Sequence, residues 1–339
     1  MDKSVESYLL GMELGTAQSF ENMTVFGLMN PLNGGPEYIT LREALERGVF
    51  TVTEVSEGGS VPELMAVNKG DVAVLLLDGE ELAGAKQNRI LNTTILVAPK
   101  SSIKVPVSCT EHGRWSYESD VLMDSGNVMA RSMRMLGLRE VNMSLEANKE
   151  FRPDQGRVWA SISSLHKELG VESRTGAMRD LFTAKGADLD GYLENFSPAE
   201  GGKGVLVFID GMPAGMDFLS RDKAFKALFP KLIRSYAMEA IHLRERRKAG
   251  RGRGDAGKAL AVPGPDEARE FLKRAAACDE KRYEAVGLGW SCRYAGPGIV
   301  GSALSVNEKI VHMAFFSVAE AESSTNMAGT RARRGFRII

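Results

Sequence analysis

Histidine and cysteine are scarce in this chain, with four and three copies among 339 residues. Cys109, Cys278 and Cys292 stand far apart with no CxxC pair, which speaks against a disulfide framework and a structural zinc site. The histidines, His112, His166, His242 and His312, are equally dispersed, so a multi-histidine metal centre is not expected. A magnesium site from Glu80, Glu81 and Glu111 lacks any DxD or DxN spacing, and the reading is no metal. No stretch approaches the ~18 apolar residues of a membrane span; the best, residues 72–77, is strand-sized. The first residues lack the basic-then-apolar layout of a signal peptide, and the expectation is a soluble cytoplasmic protein. Net charge is also missing: 43 basic against 44 acidic side chains exclude a globally basic nucleic-acid binder. The G-x-G-x-x-G spacing at 252–257 reads as a flexible loop and that at 296–301 as a strand turn that opens no helix. Walker and GxSxG signatures are absent, so neither a phosphate cradle nor a serine-hydrolase elbow is indicated.

What is present is glycine, 36 copies, and an uneven distribution of charge. Residues 1–60 carry nine acids and three bases, so the remainder is net basic. The basic residues cluster at 244–258 and in the tail, at Arg331, Arg333, Arg334 and Arg337. Solvated surface is the ordinary reading of such runs. Head-to-tail pairing and a polyanion site are the alternatives, the latter weakened by the lack of interleaved aromatics.

Periodicity outlines an α+β protein. Helical spacing marks 39–47, ended by Gly48, then residues 154–169, 175–185, 189–196 and 265–277. A long helix follows Ser220, with a core stripe of Phe225, Leu228, Leu232, Tyr236, Ala240 and Leu243; Pro230 is expected to kink or split it. Strands are expected at 50–55, 72–77, 283–293, 299–306 and 309–318. Two hairpins are expected as well. One joins 93–98 to 102–107, with Pro106 marking an edge or a bulge; the other turns through Asp210-Gly211. The fold class is a β-rich, sandwich- or barrel-like N-terminal half at 20–118. A helix-plus-antiparallel-sheet half at 119–318 shares its core, and residues 319–339 form a basic, disordered tail.

The block at 78–115 stands out because strongly polar residues interrupt strands that should be buried. Glu80, Glu81, Gln87, Asn88, Arg89, Asn92, Ser108, Cys109, Glu111 and Arg114 must pair with each other, with water or with a ligand. The expected site is a polar small-molecule pocket built on Glu80, Gln87, Asn88, Arg89, Asn92, Glu111 and Arg114. Arg89 or Arg114 would grip a phosphate or carboxylate, and Glu80 or Glu111 would serve as general base for hydrolysis. Asp217, Glu239 and Arg293 are further candidates. The row Lys231, Ser235, Glu239 is either a solvated helix face or a cover over the polar block. Cys109 with His112 three residues on does not make a dyad by sequence alone, and a small buried thiol is the commoner outcome. Ser235 reads as a packing hydroxyl, and His312, inside an apolar strand, as a core or interface histidine.

Several stretches resemble one known family. They include TVFGLMNP (24–31), LLLDGEELAGAKQNRILNTTILV (75–97), VPVSCTEHGRW (105–115), VFIDGMPAGMDFLS (207–220), KLIRSYAMEAI (231–241) and VHMAFF (311–316). Over residues 20–318 the chain is similar to the ARG- and rhodanese-phosphatase-superfamily-associated protein domain, first type, a functionally uncharacterised family. The resemblance implies no assigned activity or cofactor. The family's name associates it with ADP-ribose-processing and phosphatase-type proteins, which makes ADP-ribose or a related nucleotide the implied ligand class. His112 stands where the family commonly carries Gln, which argues against a catalytic role for it. Two other classes stay open: a non-catalytic homo-oligomeric scaffold whose polar block is a satisfied network, and a nucleic-acid binder acting through the basic loop and tail.

Overall fold

The computed structural model describes residues 3–30, 35–55, 62–114, 119, 121–250 and 262–318. The basic residues at 251–258 and the tail from 319 lie outside them. The first part of the chain runs α1 (Lys3–Leu10), β1 (Glu13–Phe20), β2 (Met23–Met29), β3 (Tyr38–Thr40), α2 (Leu41–Glu46), β4 (Phe50–Glu54) and β5 (Glu63–Asn68). Then come β6 (Ala73–Leu76), β7 (Glu80–Gly84), β8 (Arg89–Leu91), β9 (Ile95–Val97), β10 (Ser101–Cys109) and β11 (Leu122–Val128). A helical middle follows: α3 (Arg131–Asn148), α4 (Gln155–Glu168), α5 (Met178–Ala184) and α6 (Gly186–Asn195). The chain continues through β12 (Gly204–Ile209), β13 (Met212–Leu219), α7 (Asp222–Gly250) and α8 (Pro265–Ala276). The last strands are β14 (Asp279–Glu284), β15 (Trp290–Gly296), β16 (Ile299–Val306) and β17 (Lys309–Ser317). The protein is α+β and β-rich.

An eight-stranded antiparallel sheet, β1-β2-β12-β13-β17-β16-β15-β14, forms the largest layer. Alternation along each strand assigns its two faces. Met216, Phe218, Tyr294 and Phe315 pack with α1 and α8 on one side. Val205, Val207, Leu219, Ala314 and Phe316 face α3 and α7 on the other. A six-stranded sheet, β11-β7-β8-β10-β5-β4, and a small one, β3-β6-β9, make up the rest. They enclose their own core around Leu64, Val74, Leu76, Val105 and Leu122. Leu75, Leu77, Ile90 and Leu96 belong instead to the core packed beneath the helices.

Several local expectations hold. Thr40 caps α2 by accepting from the Glu43 amide, and Gly48 follows at φ +68°. Asp210 and Gly211 both take positive φ, as the two-residue turn between β12 and β13 requires. The differences are informative. β9 and β10 do not form the expected hairpin: β9 pairs with β6, whereas β10 pairs with β5 and then β8. Pro106 is neither at a sheet edge nor a bulge. It sits where β10 changes partner, which is where a missing N–H costs least. The single strand expected at 283–293 is two, because the chain reverses through 285–289, with Gly289 at φ +93°. α7 runs unbroken through Pro230.

Candidate functional site

The polar block separates into clusters with different partners. In the first, Arg89 Nη1 donates to Gln87 Oε1 at 2.8 Å and to Cys109 Sγ at 3.0 Å. Gln87 Nε2 donates to the Glu111 carbonyl. Arg114 grips Glu111 at 2.7 Å and also donates to Asn88 Oδ1 and the Ala85 carbonyl. Thr175 donates to the other Glu111 oxygen, and these contacts hold the Glu111 carboxyl below its usual range despite its burial. Gln87, Asn88, Arg89, Glu111 and Arg114 are thus brought together, but onto one another.

Glu80 lies apart from them. Lys231 of α7 donates to its Oε1 at 2.6 Å, and the Leu77 amide donates to its Oε2 at 2.8 Å. Lys231 also reaches Asp124 at 2.8 Å. Burial nevertheless raises the Glu80 carboxyl. Lys231 and Ser235 are buried, so that helix row covers the polar block and is no solvated face; Glu239 is half-buried. Neighbouring Glu81 is fully buried, and burial pushes its carboxyl up to about 7 against hydrogen bonds from Ser125 and Thr110.

A third cluster forms where the helical layer meets the large sheet. Residues of β13 alternate, so Asp217 points to the helix side while Met216 and Phe218 point away. Arg134 of α3 clamps it with two hydrogen bonds, at 2.9 and 2.6 Å, and Tyr236 of α7 donates to the same carboxylate at 2.9 Å. Burial opposes its charge, but Arg134 and His312 outweigh that and bring Asp217 to about 2. His312 of β17 sits 3.3 Å from Asp217 through Nε2 and 3.0 Å from Thr94 Oγ1 through Nδ1. Thr94 in turn donates to Asp78 Oδ1 at 3.2 Å. A continuous hydrogen-bond chain therefore runs from Asp78 to the sheet interior.

Asp78 opens onto a narrow cleft. It follows β6 at a turn where Gly79 takes φ +77° and where a Cβ would stand 3.1 Å from Arg134 Cγ, both of which favour glycine. The cleft is lined by Asp78, Asn92, Arg134, Gly137, Pro153 and Arg293, among others, and leaves about 30 Å³ unfilled, on the scale of one or two waters. Arg293 is the unusual member. Its backbone is in β15, on the helix-facing side with Ser291, and its side chain is 5% exposed. It donates to Thr93 Oγ1 at 2.6 Å and Ser291 Oγ at 3.1 Å, and lies over the Phe151 ring at 5.3 Å. No carboxylate among the described residues comes within ion-pair distance, and burial brings its guanidinium down to about 10. Asn92, held by Ser108 and bonded to the Phe151 carbonyl, completes that wall.

Of the residues expected from sequence, Asn92 and Arg293 line this cleft and Asp217 lies behind it. Glu80, Gln87, Asn88, Arg89, Glu111, Arg114 and Glu239 do not line it. Asp78, Thr94, Arg134 and Tyr236 were not singled out as site residues, and His312, read as a core histidine, is buried but wired to Asp217 and Thr94. A charged residue at 134, on the face of α3 that also carries Leu138 and Val141, was the available signal. Cys109 and His112 form no dyad: the thiol accepts from Arg89 and is raised by burial, and His112 packs edge-on against Trp159. Among the described residues no three His, Cys, Asp or Glu side chains gather as a metal site, and no helix is long and apolar enough to cross a membrane. The described part of the basic cluster is largely neutralised. Arg244 meets Glu21 and Asp188, Arg247 meets Asp210, and Lys248 meets Glu245.

This is an α+β protein with a buried, charge-lined cleft between a large antiparallel sheet and a helical layer. The chain belongs to the ARG and Rhodanese-Phosphatase-superfamily-associated Protein domain family, whose match covers residues 11–316. No curated protein and no solved structure gives a significant match.

Proposed function

We propose that the Asp78–Arg293 cleft binds a small polar ligand that carries both an anionic group and a hydrogen-bond donor. The observation that carries this reading is the buried Arg293 guanidinium, which borders open space and has no carboxylate at ion-pair distance among the described residues, Asp78 acting on it only from farther off. A buried charge is ordinarily paired, because leaving it unmatched is costly. A carboxylate or phosphate against Arg293 supplies the missing partner and is the geometry guanidinium favours. Asp78 lines the same cleft and accepts a donor from the ligand. Glu80 and Glu111 have both oxygens engaged by protein groups, so the base for a hydrolytic step is Asp78, taking a proton from an attacking water. ADP-ribose meets the requirement through its pyrophosphate and ribose hydroxyls, with only an anionic group entering the roughly 30 Å³ of the cleft and the rest of the ligand outside it.

The test is a titration of the protein with inorganic phosphate, glycolate and ADP-ribose, followed by calorimetry and by thermal shift. Binding at 100 times Kd adds about 2.7 kcal/mol of stability. Arg293→Gln should abolish it. Asp78→Asn should retain binding and remove turnover of any bound phosphoester. Absence of turnover in the wild type would leave a binding protein without hydrolysis. If none of the three ligands binds a folded, monodisperse sample, the reading fails, and the self-satisfied first cluster then favours a structural scaffold.

A further inference from the structure

Asp78, Thr94, His312 and Asp217 run inward from the cleft wall in single file. Asp217 is ionised and can only accept, so His312 Nε2 carries a hydrogen and donates it at 3.3 Å. The other ring nitrogen, Nδ1, faces Thr94 Oγ1 at 3.0 Å. Thr94 has one hydroxyl hydrogen and two acceptors for it, Asp78 Oδ1 at 3.2 Å and the Nδ1 of a neutral His312. With a neutral imidazole, one of the two goes without. With an imidazolium, Nδ1–H donates to Thr94, Thr94 donates to Asp78, and every hydrogen in the file has an acceptor. The file therefore has a seat for one further proton.

Charge points the same way. Among the described residues, the charged and titratable groups around His312 are Asp217 of β13, Arg134 of α3, Tyr236 of α7 and Asp78 after β6. Arg293 of β15 lines the same cleft as Asp78. Burial keeps Tyr236 neutral, and its hydrogen is committed to Asp217. Two guanidiniums and two carboxylates thus balance while His312 is neutral. An anion seated on Arg293 makes the set one charge negative, where unmatched buried charge is costly. One proton restores the balance.

We infer, on the reading that Arg293 holds the ligand's anionic group, that the cleft takes a monoanion together with one solvent proton, relayed from Asp78 through the Thr94 hydroxyl to His312 Nδ1. Thr94 passes its hydrogen to His312 as Asp78 hands one to Thr94 Oγ1, so the hydroxyl is regenerated and only a proton moves. His312 and Thr94 are positioning residues that act through Asp78 and do not touch the ligand. The same path frees Asp78 of the proton it draws from an attacking water.

The test is calorimetric titration of the full chain with glycolate, whose own carboxylate stays ionised near neutral pH, in buffers of different ionisation heat. About one proton should be taken up per glycolate bound, with affinity falling about tenfold per pH unit above neutrality. In histidine-labelled NMR spectra the His312 ring, assigned by its loss in His312→Gln, should change from the neutral to the imidazolium signature on binding. Thr94→Val should keep glycolate binding, with uptake near zero and a flat pH profile. Asp78→Asn, whose cluster starts one charge positive, should also bind without uptake. Glycolate bound by the wild type with no proton would overturn the inference and leave the Arg293 reading standing. Uptake that leaves His312 neutral, or that survives Thr94→Val, would overturn it too. The wild-type proton count and spectra decide the matter even where a variant does not fold. If glycolate does not bind at all, the Arg293 reading itself falls, and this inference with it.

Discussion

Arg114 and Arg293 are both guanidiniums at the margin of buried polar clusters, and they are treated differently. Arg114 meets Glu111 at 2.7 Å, an Asn88 oxygen and a backbone carbonyl, so its charge and its donors are accounted for inside the protein. Arg293 meets two hydroxyls and an aromatic ring, with no carboxylate at ion-pair distance among the described residues, at the wall of a cleft. The first cluster is denser in polar residues, yet its groups are turned on one another. The second is sparser and leaves a charge for something else to match. A high count of polar side chains therefore locates a hydrogen-bond network; a site is found by asking which charge lacks its counterpart.

The comparison can be broken most severely at the shared support of the cleft. Asp217→Asn leaves Arg134 buried with only Asp78, and the expected loss is about 3–5 kcal/mol in a urea melt. Next comes pH. Glu81, ordinarily near 4.5, is raised to about 7, so between those values the folded protein keeps a proton that the unfolded chain has released. Stability should fall as pH rises through that window, by about 3 kcal/mol, and Glu81→Gln should flatten the slope measured between pH 5 and 8. Asp217 works in the opposite direction: its stabilisation is full above about pH 4 and is lost as pH falls toward 2. Arg114→Ala should cost about 1–3 kcal/mol by stripping the hydrogen bonds of the first cluster, and leave phosphate or glycolate binding unchanged.

The fold was legible where local chemistry is decisive. The Asp210-Gly211 hairpin, the buried strand at 73–76 and the α4 stripe of Val158, Ile162 and Leu165 all follow from spacing and turn residues. What escaped depends on distant partners. β2 pairs with β12 across some 180 residues of sequence, through Val25 and Val207, and nothing in either segment names the other. The expected hairpin at 93–107 failed for the same reason, since β6 and β5 compete successfully for β9 and β10. The site divides likewise. Arg293 and Asn92 could be suspected as strong polar residues near strands, but Arg134, Asp78 and His312 become one unit only when β13, β17 and α3 meet.

Arg293→Met tests the central claim most directly, with stability and ligand affinity measured on the same sample. Removing a buried charge that has no carboxylate at ion-pair distance among the described residues should leave stability unchanged or raise it, while binding of phosphate or glycolate is lost. A loss of several kcal/mol with ligand affinity intact would contradict the account, and would place Arg293 with Arg114 among the groups that serve only the fold.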